Sequence, residues 1–132
     1  IDACLVGSEM CIRDSIRTPK LIIDLAEKEF VKDGYVVKNI DKQAYLSALA
    51  LASCVVVTSD SISMISEAAM TGKPIYVADI PAKKNDFRIK KFNKLFSQLN
   101  IIKNLDNKLE TWHYENLDET SRIADKIKKE LI

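Results

Sequence analysis

The residues best suited to chemistry sit close together: Thr58, Ser59, Asp60, Ser61 and Ser63, followed by Glu67. They come just before and within a short helical pattern that runs from Ile62 to Met70 and is stopped by Gly72. One hydroxyl is enough to cap a helix by accepting from its free backbone N–H groups. The others are left beside the positive end of the helix dipole, where a phosphate or a sugar is stabilised. Asp60, Ser63 and Glu67 recur at spacings of three and four, so on a helix they share one polar stripe, while Ile62, Ile65 and Ala69 share another that faces a sheet. This chemistry is ligand holding rather than bond breaking. The helix start would take a phosphate, and Glu67 would accept hydrogen bonds from the vicinal hydroxyls of a ribose. The same spacing equally describes an ordinary capped helix with a solvated glutamate.

Other polar groups are weaker candidates. Arg17-Thr18 opens a helix after what should be a strand, and an arginine there is able to grip phosphate with two parallel hydrogen bonds; a surface arginine beside a capping threonine looks the same. Lys83 and Lys84 are the two members of the basic stretch 83–94 that could reach an anion at a strand's carboxyl edge, the rest reading as a solvated helix face. His113 is the single histidine and has no acidic or cysteine cluster at ligand spacing, so neither a metal site nor a catalytic triad is indicated. Cys54 heads an apolar strand and reads as a small core residue rather than a nucleophile. Phe87, Phe92 and Phe96, at helical spacing, read as core and not as a stacking platform.

These residues need elements to position them. Thr18-Pro19 is a helix-entry signal, and Leu21, Ile22, Leu25, Ala26 and Phe30 follow at largely helical spacing up to Asp33-Gly34. Tyr35–Lys38 reads as a short strand, and Asp41 as the cap of a helix 42–52 with Tyr45, Leu46, Leu49 and Ala50 on its apolar face. Cys54–Thr58 is an unbroken apolar strand, as expected of a central parallel strand covered on both faces. Ile75–Ala78 is the next strand. A loop from Pro81 to Asp86 then leads to a helix with Ile89, Phe92, Leu95, Phe96 and Leu99 inward. Ile101-Ile102 reads as a brief last strand, 104–116 as irregular, and Asp118 as the cap of a terminal helix carrying Ile123, Ala124, Ile127 and Leu131. The alternation predicts an α/β domain with a doubly wound parallel, Rossmann-like sheet.

Composition narrows the classes. A chain of 132 residues is one domain by size, small for a complete nucleotide-dependent enzyme. A formal net charge of +1 gives no argument for nucleic acid as a partner. No apolar run is long enough to span a bilayer, and no basic segment followed by an apolar one opens the chain as a signal peptide would. Three cysteines without paired or metal-type spacing suggest a reducing, cytoplasmic setting. No G-x-G-x-x-G follows a strand, which disfavours an ordinary dinucleotide-binding domain. Residues 4–15 resemble a translated sequencing-adapter remnant, so 1–15 is read as a non-native segment and 16–132 as the domain. The apolar Ala3–Val6 run could stand in for a first strand that is missing.

From Thr58 to Pro74, Thr-Ser-Asp-Ser-Ile-Ser-Met-Ile-Ser-Glu-Ala-Ala-Met-Thr-Gly-Lys-Pro resembles the signature of the mitochondrial-fission "elongated mitochondria" family and its bacterial relatives. Arg17-Thr18-Pro19 resembles the end of that family's Ser-Arg-Arg-Thr-Pro motif. Ala44-Tyr45 with Leu49–Ala52 resembles its Pro-Tyr…Leu-Ala-Leu-Ala-Asp segment, and Trp112–Thr120 its Trp-x-Tyr-x-x-Leu-x-x-Thr tail. Ile16 stands where a second arginine is usual, Ala44 replaces proline and Ser53 replaces aspartate. The resemblance implies the C-terminal, nucleotide-binding half of a GT-B glycosyltransferase-like or epimerase-like protein, truncated and without its N-terminal domain. By position, Ser59, Ser61, Ser63 and Met64 would border the diphosphate of a nucleoside-diphosphate sugar, with Asp60 beside them and Glu67 on the ribose. Acceptor recognition and any general base would belong to the N-terminal domain, and no cofactor is implied. Plant members of the family are associated with recruiting a dynamin-like protein to mitochondria. The alternative expectation is therefore a non-catalytic interaction protein serving division or envelope machinery, at the periphery of the inner membrane.

Overall fold

The computed structural model describes residues 2–6, 9–13, 20–30, 32, 34–37, 42–81, 86–106 and 108–131, and only the backbone of 2–6, 9–13, 30 and 35–37. The element order is β1 (Asp2–Val6), β2 (Glu9–Arg13), α1 (Lys20–Phe30), β3 (Gly34–Val37), α2 (Lys42–Leu51), β4 (Cys54–Thr58), α3 (Ile62–Ala69), β5 (Ile75–Ala78), α4 (Phe87–Gln98), β6 (Ile102–Asn104) and α5 (Glu119–Leu131). The strands form one sheet in the order β3-β2-β1-β4-β5-β6. β2 runs parallel to β3, and β4, β5 and β6 run parallel to one another. This is the α/β class with a Rossmann-like parallel sheet that the alternating pattern predicts.

One strand departs from it. β1 is antiparallel to both of its neighbours, β2 and β4, so the other five strands all point one way. Two residues separate Val6 from Glu9, and so short a connection permits only an antiparallel pair, since a parallel return needs a crossover of a dozen or more residues. β1 and β2 both come from the segment read as non-native, and the Ala3–Val6 run lies in the strand that fills the place between β2 and β4.

Both faces of β4 and β5 are covered, because alternate side chains point to opposite faces. Val55, Val57, Ile75 and Val77 join Tyr45, Leu49, Ile65, Ala68, Ala69 and Phe96 in one core. Cys54 and Tyr76 join Trp112 in a second, against which Val56 and Tyr114 pack. The irregular chain after β6 thus acts as a strap. Tyr76 Oη donates to the Glu110 carbonyl at 2.9 Å, and Trp112 Nε1 donates to the Asn100 carbonyl at 2.9 Å. The Trp112 ring meets Tyr76 edge-on at 5.2 Å.

Several expected core positions lie outside. Leu46 and Ala50 are exposed, and α2 instead turns Tyr45, Ala48 and Leu49 inward, with Ala52 just past its end. Leu21, Ile22 and Leu25 of α1, and Phe87, Leu95 and Leu99 in and beside α4, are exposed as well. α1, α2 and α4 shield a narrower line than their apolar stripes, so the flanks of those stripes stay in solvent. α5 is the extreme case: Asp118 caps it through Ser121, yet none of its residues is buried and Ile123, Ile127 and Leu131 are exposed. Among the described residues no helix is long and apolar enough to cross a membrane.

Candidate functional site

The chain moves outward from β2 to β3, crosses back through α2 to β4, and then moves outward the other way through β5 to β6. The strand order therefore reverses between β2 and β4, and in open α/β sheets ligands bind outside the carboxyl ends of the strands at such a point. β4 ends there at Thr58, followed at once by the Ser59–Ser61 turn and α3. Arg17 and Thr18, which follow β2, lie outside the described residues, as do Lys83 and Lys84.

The turn is held from both sides. Ser61 N donates to the Thr58 carbonyl at 3.0 Å, and the Thr58 and Ser61 hydroxyls meet at 3.2 Å. Ser59 is the one buried polar residue among those described. Its Oγ accepts from Ile80 N at 3.0 Å, its N–H donates to the Ala78 carbonyl at 3.0 Å, and its own carbonyl accepts from Asn93 Nδ2 at 3.1 Å. Ser59 is thus a latch joining the ends of β4 and β5 to α4.

The hydroxyls do not cap the helix. Ser61 is the N-cap residue, and its carbonyl accepts from Ile65 N at 3.0 Å, but its side chain makes no capping hydrogen bond. The first-turn N–H groups of Ile62, Ser63 and Met64 therefore keep their donors without a side-chain acceptor. This is the arrangement an anion uses. Asp60 and Ser63 are exposed beside it, whereas the Met64 side chain packs against the core, so that residue offers its backbone alone.

Glu67 is exposed on the same face of α3 as Ser63, with one carboxylate oxygen already engaged: Tyr45 Oη donates to Oε2 at 2.7 Å. It lines a cleft of about 560 Å³ between α2 and α3, shared with Lys42, Tyr45, Leu46, Leu49, Ala50, Met70 and Thr71. Ser59 lines a separate cleft of about 530 Å³ at the ends of β5 and β6, with Asp79, Ile80, Asn93 and Lys94 among its walls. The fold therefore keeps Ser63 and Glu67 on one face of α3, leaves Asp60 and Ser61 in the turn before the helix and off the expected stripe, and turns Ser59 into a different cleft. His113 is exposed and belongs to neither cleft. Among the described residues no group of three or more His, Cys, Asp or Glu side chains could hold a metal ion. Cys54 is buried, and burial pushes its thiol pKa up, which keeps it protonated and a poor nucleophile.

Three participants escape a reading by pattern. Tyr45 looks like a core residue, and only the need of a buried tyrosine hydroxyl for a partner hints at more. Asn93 sits on α4 between Ile89 and Lys90 on one turn and Phe96 and Ser97 on the next, a mixed face with no pattern to single it out. Lys73, just beyond Gly72, donates through Nζ to the Leu49 carbonyl at 2.6 Å and to the Ala50 carbonyl, closing the end of α2 beside the cleft.

A family model described as "Mitochondrial fission ELM1" matches residues 3–131, a span that begins inside the segment set aside above. The chain is 31% identical over 122 residues to the mitochondrial fission protein ELM1 of Arabidopsis thaliana, covering 89% of this chain and 28% of that protein. It is 36% identical over 121 residues to the uncharacterized protein RP120 of Rickettsia prowazekii (strain Madrid E), covering 86% of this chain and 34% of the relative. The chain thus spans about a third or less of the curated relatives it matches. No solved structure matches it.

Proposed function

The chain belongs to the mitochondrial fission ELM1 family, and from that premise we propose that it is the nucleotide-sugar-binding half of a GT-B-like protein. The observation that carries this is the α3 strip: uncapped first-turn N–H groups at the strand reversal, and a braced carboxylate further along the same face. Ser63 and Glu67 are four positions apart on the helix, a rise of about 6 Å. That matches the span from a nucleotide's phosphate to the vicinal hydroxyls of its ribose. The diphosphate would meet the N–H groups of Ile62, Ser63 and Met64 and the hydroxyls of Ser61 and Ser63, aided by the helix dipole. Glu67 would accept from the ribose. In a transfer or rearrangement of the sugar, this half would stabilise the diphosphate as charge develops on it. The acceptor site and any general base would lie in the rest of a longer protein, and no resident cofactor is required.

Titration calorimetry with UDP- and GDP-sugars tests the reading. Saturable binding is expected, and Glu67→Ala should weaken it by about 1–3 kcal/mol, the cost of leaving ligand hydroxyls unpaired. A folded chain that binds none of these ligands would refute it.

A second reading draws on α5. Its apolar residues Ile123, Ile127 and Leu131 are exposed on an amphipathic helix with nothing of its own buried. With a relative named for mitochondrial fission, this suits an interaction protein that recruits division or envelope machinery, in the cytoplasm or at the periphery of a membrane.

A further inference from the structure

We propose that the cleft between α2 and α3 is the nucleobase compartment of this site, that it holds the base by its faces and not its edges, and that Tyr45 is a positioning residue presenting Glu67 to the ribose. This rests on the nucleotide-binding reading above. α2 leads from β3 to β4 and α3 from β4 to β5, between strands that point the same way, so both helices run from the carboxyl edge of the sheet to its amino edge. The Tyr45–Glu67 hydrogen bond sets their relative register. Down α3 come the open N–H groups, then Glu67, then Met70 and Thr71; down α2 come Lys42, then Tyr45 and Leu46, then Leu49 and Ala50. The cleft itself therefore offers Lys42 at one end, the Glu67 carboxylate in the middle and an apolar wall at the other, with the N-terminus of α3 toward its Lys42 end. A nucleoside diphosphate presents phosphate, diol and base in that order.

The wall decides how a base is recognised. Leu46 and Met70 are about half exposed and, with Leu49 and Ala50, offer a base edge nothing stronger than the weakly accepting Met70 thioether. The Thr71 hydroxyl is already committed, donating to the Ala68 carbonyl at 2.6 Å and accepting from Lys73 N at 3.2 Å. A purine or a pyrimidine lying on Leu46 and Met70 makes the same kind of contact. Discrimination falls instead on the sugar. An exposed glutamate samples many rotamers, but Glu67 is pinned through Oε2 by a tyrosine that is itself buried. Its Oε1 stays available to a diol.

The test titrates the chain with UDP, GDP and their 2′-deoxy forms. UDP and GDP should bind within about tenfold of each other, the worth of one hydrogen bond, and each should lose about tenfold or more without its 2′-hydroxyl. Tyr45→Phe should bring the ribose-to-deoxyribose ratio close to one while the chain stays folded by circular dichroism and still binds the deoxy forms, a pattern that simple loss of fold does not produce. Leu46→Asp should weaken both nucleotides alike. A base preference beyond about a hundredfold would overturn face-only recognition, because it requires more than one edge hydrogen bond. An unchanged ribose ratio in Tyr45→Phe would overturn the positioning role. If no nucleotide binds at all, the underlying nucleotide reading fails, and this one with it.

Discussion

Gly72→Ala probes the joint that closes the candidate site. α3 ends with Met70 N donating to the Glu67 carbonyl at 3.2 Å and Thr71 N to the Ala68 carbonyl at 3.0 Å, and Gly72 then turns the chain at a φ of +72°. A left-handed residue just past a helix is the usual place for glycine, since a Cβ there crowds the backbone. Alanine in this conformation costs about 1–2 kcal/mol, partly offset by about 0.4–1 kcal/mol from its stiffer unfolded chain. A Cβ at Gly72 would also lie 2.2 Å from Asn116 Oδ1 and 3.1 Å from its Cγ, so Asn116 must swing away. Asn116 is exposed, and that movement is the smaller cost. The expected net loss is about 1 kcal/mol, or roughly 3–5 °C in Tm for a domain of this size. Urea unfolding followed by the fluorescence of the single tryptophan, buried Trp112, measures it. Adding Asn116→Ala should restore only a minor part. Stability at or above the parent's would refute the backbone argument, and full restoration by Asn116→Ala would show the side-chain collision to be the cause.

Three further outcomes are expected. Ser59→Ala removes the acceptor of the Ile80 N–H and should cost about 1 kcal/mol; faster amide hydrogen exchange at Ile80 is the readout, and unchanged exchange would refute the latch. Burial raises the Tyr114 pKa to about 12, partly countered by the Thr71 hydroxyl, while its Oη donates to the Lys73 carbonyl. The folded state thus holds this proton longer than the unfolded chain, so its contribution should be intact below pH 10, fall between pH 10 and about 12, and be missing from that window in Tyr114→Phe. Trp112→Phe loses the bond to Asn100, the edge contact with Tyr76 and the Lys103 ammonium 4.6 Å from the ring centroid; a loss of about 1–3 kcal/mol is expected by circular dichroism, and a change within error would show that the strap does not hold the second core.

The legible parts of this protein are those governed by local pattern. Cys54–Thr58 and Ile75–Ala78 are strands with the bounds expected, because runs of buried β-branched residues between turn residues have few other uses. α3 follows from a short apolar stripe ended by Gly72, and the shared face of Ser63 and Glu67 follows from helical periodicity alone, whereas Asp60 falls in the turn before the helix. The family resemblance was legible too, since it rests on residue order. The inward faces of the helices were harder: Leu46, Leu95 and Leu99 fit an apolar stripe as well as Leu49 and Phe96 do, and only contact with the sheet separates them.

What the tertiary structure alone decided is how distant residues meet. Periodicity places Glu67 on a stripe, but the bond from Tyr45, 22 residues earlier, holds its carboxylate in one place. Composition makes Ser59 one hydroxyl among several, yet the convergence of β4, β5 and α4 turns it inward and into a different cleft from Glu67. Local sequence sets periodicity and turn chemistry because those depend on neighbours along the chain. Which carboxylate is braced and which hydroxyl is buried depend on crossovers of twenty or more residues, and those are fixed only when the sheet assembles.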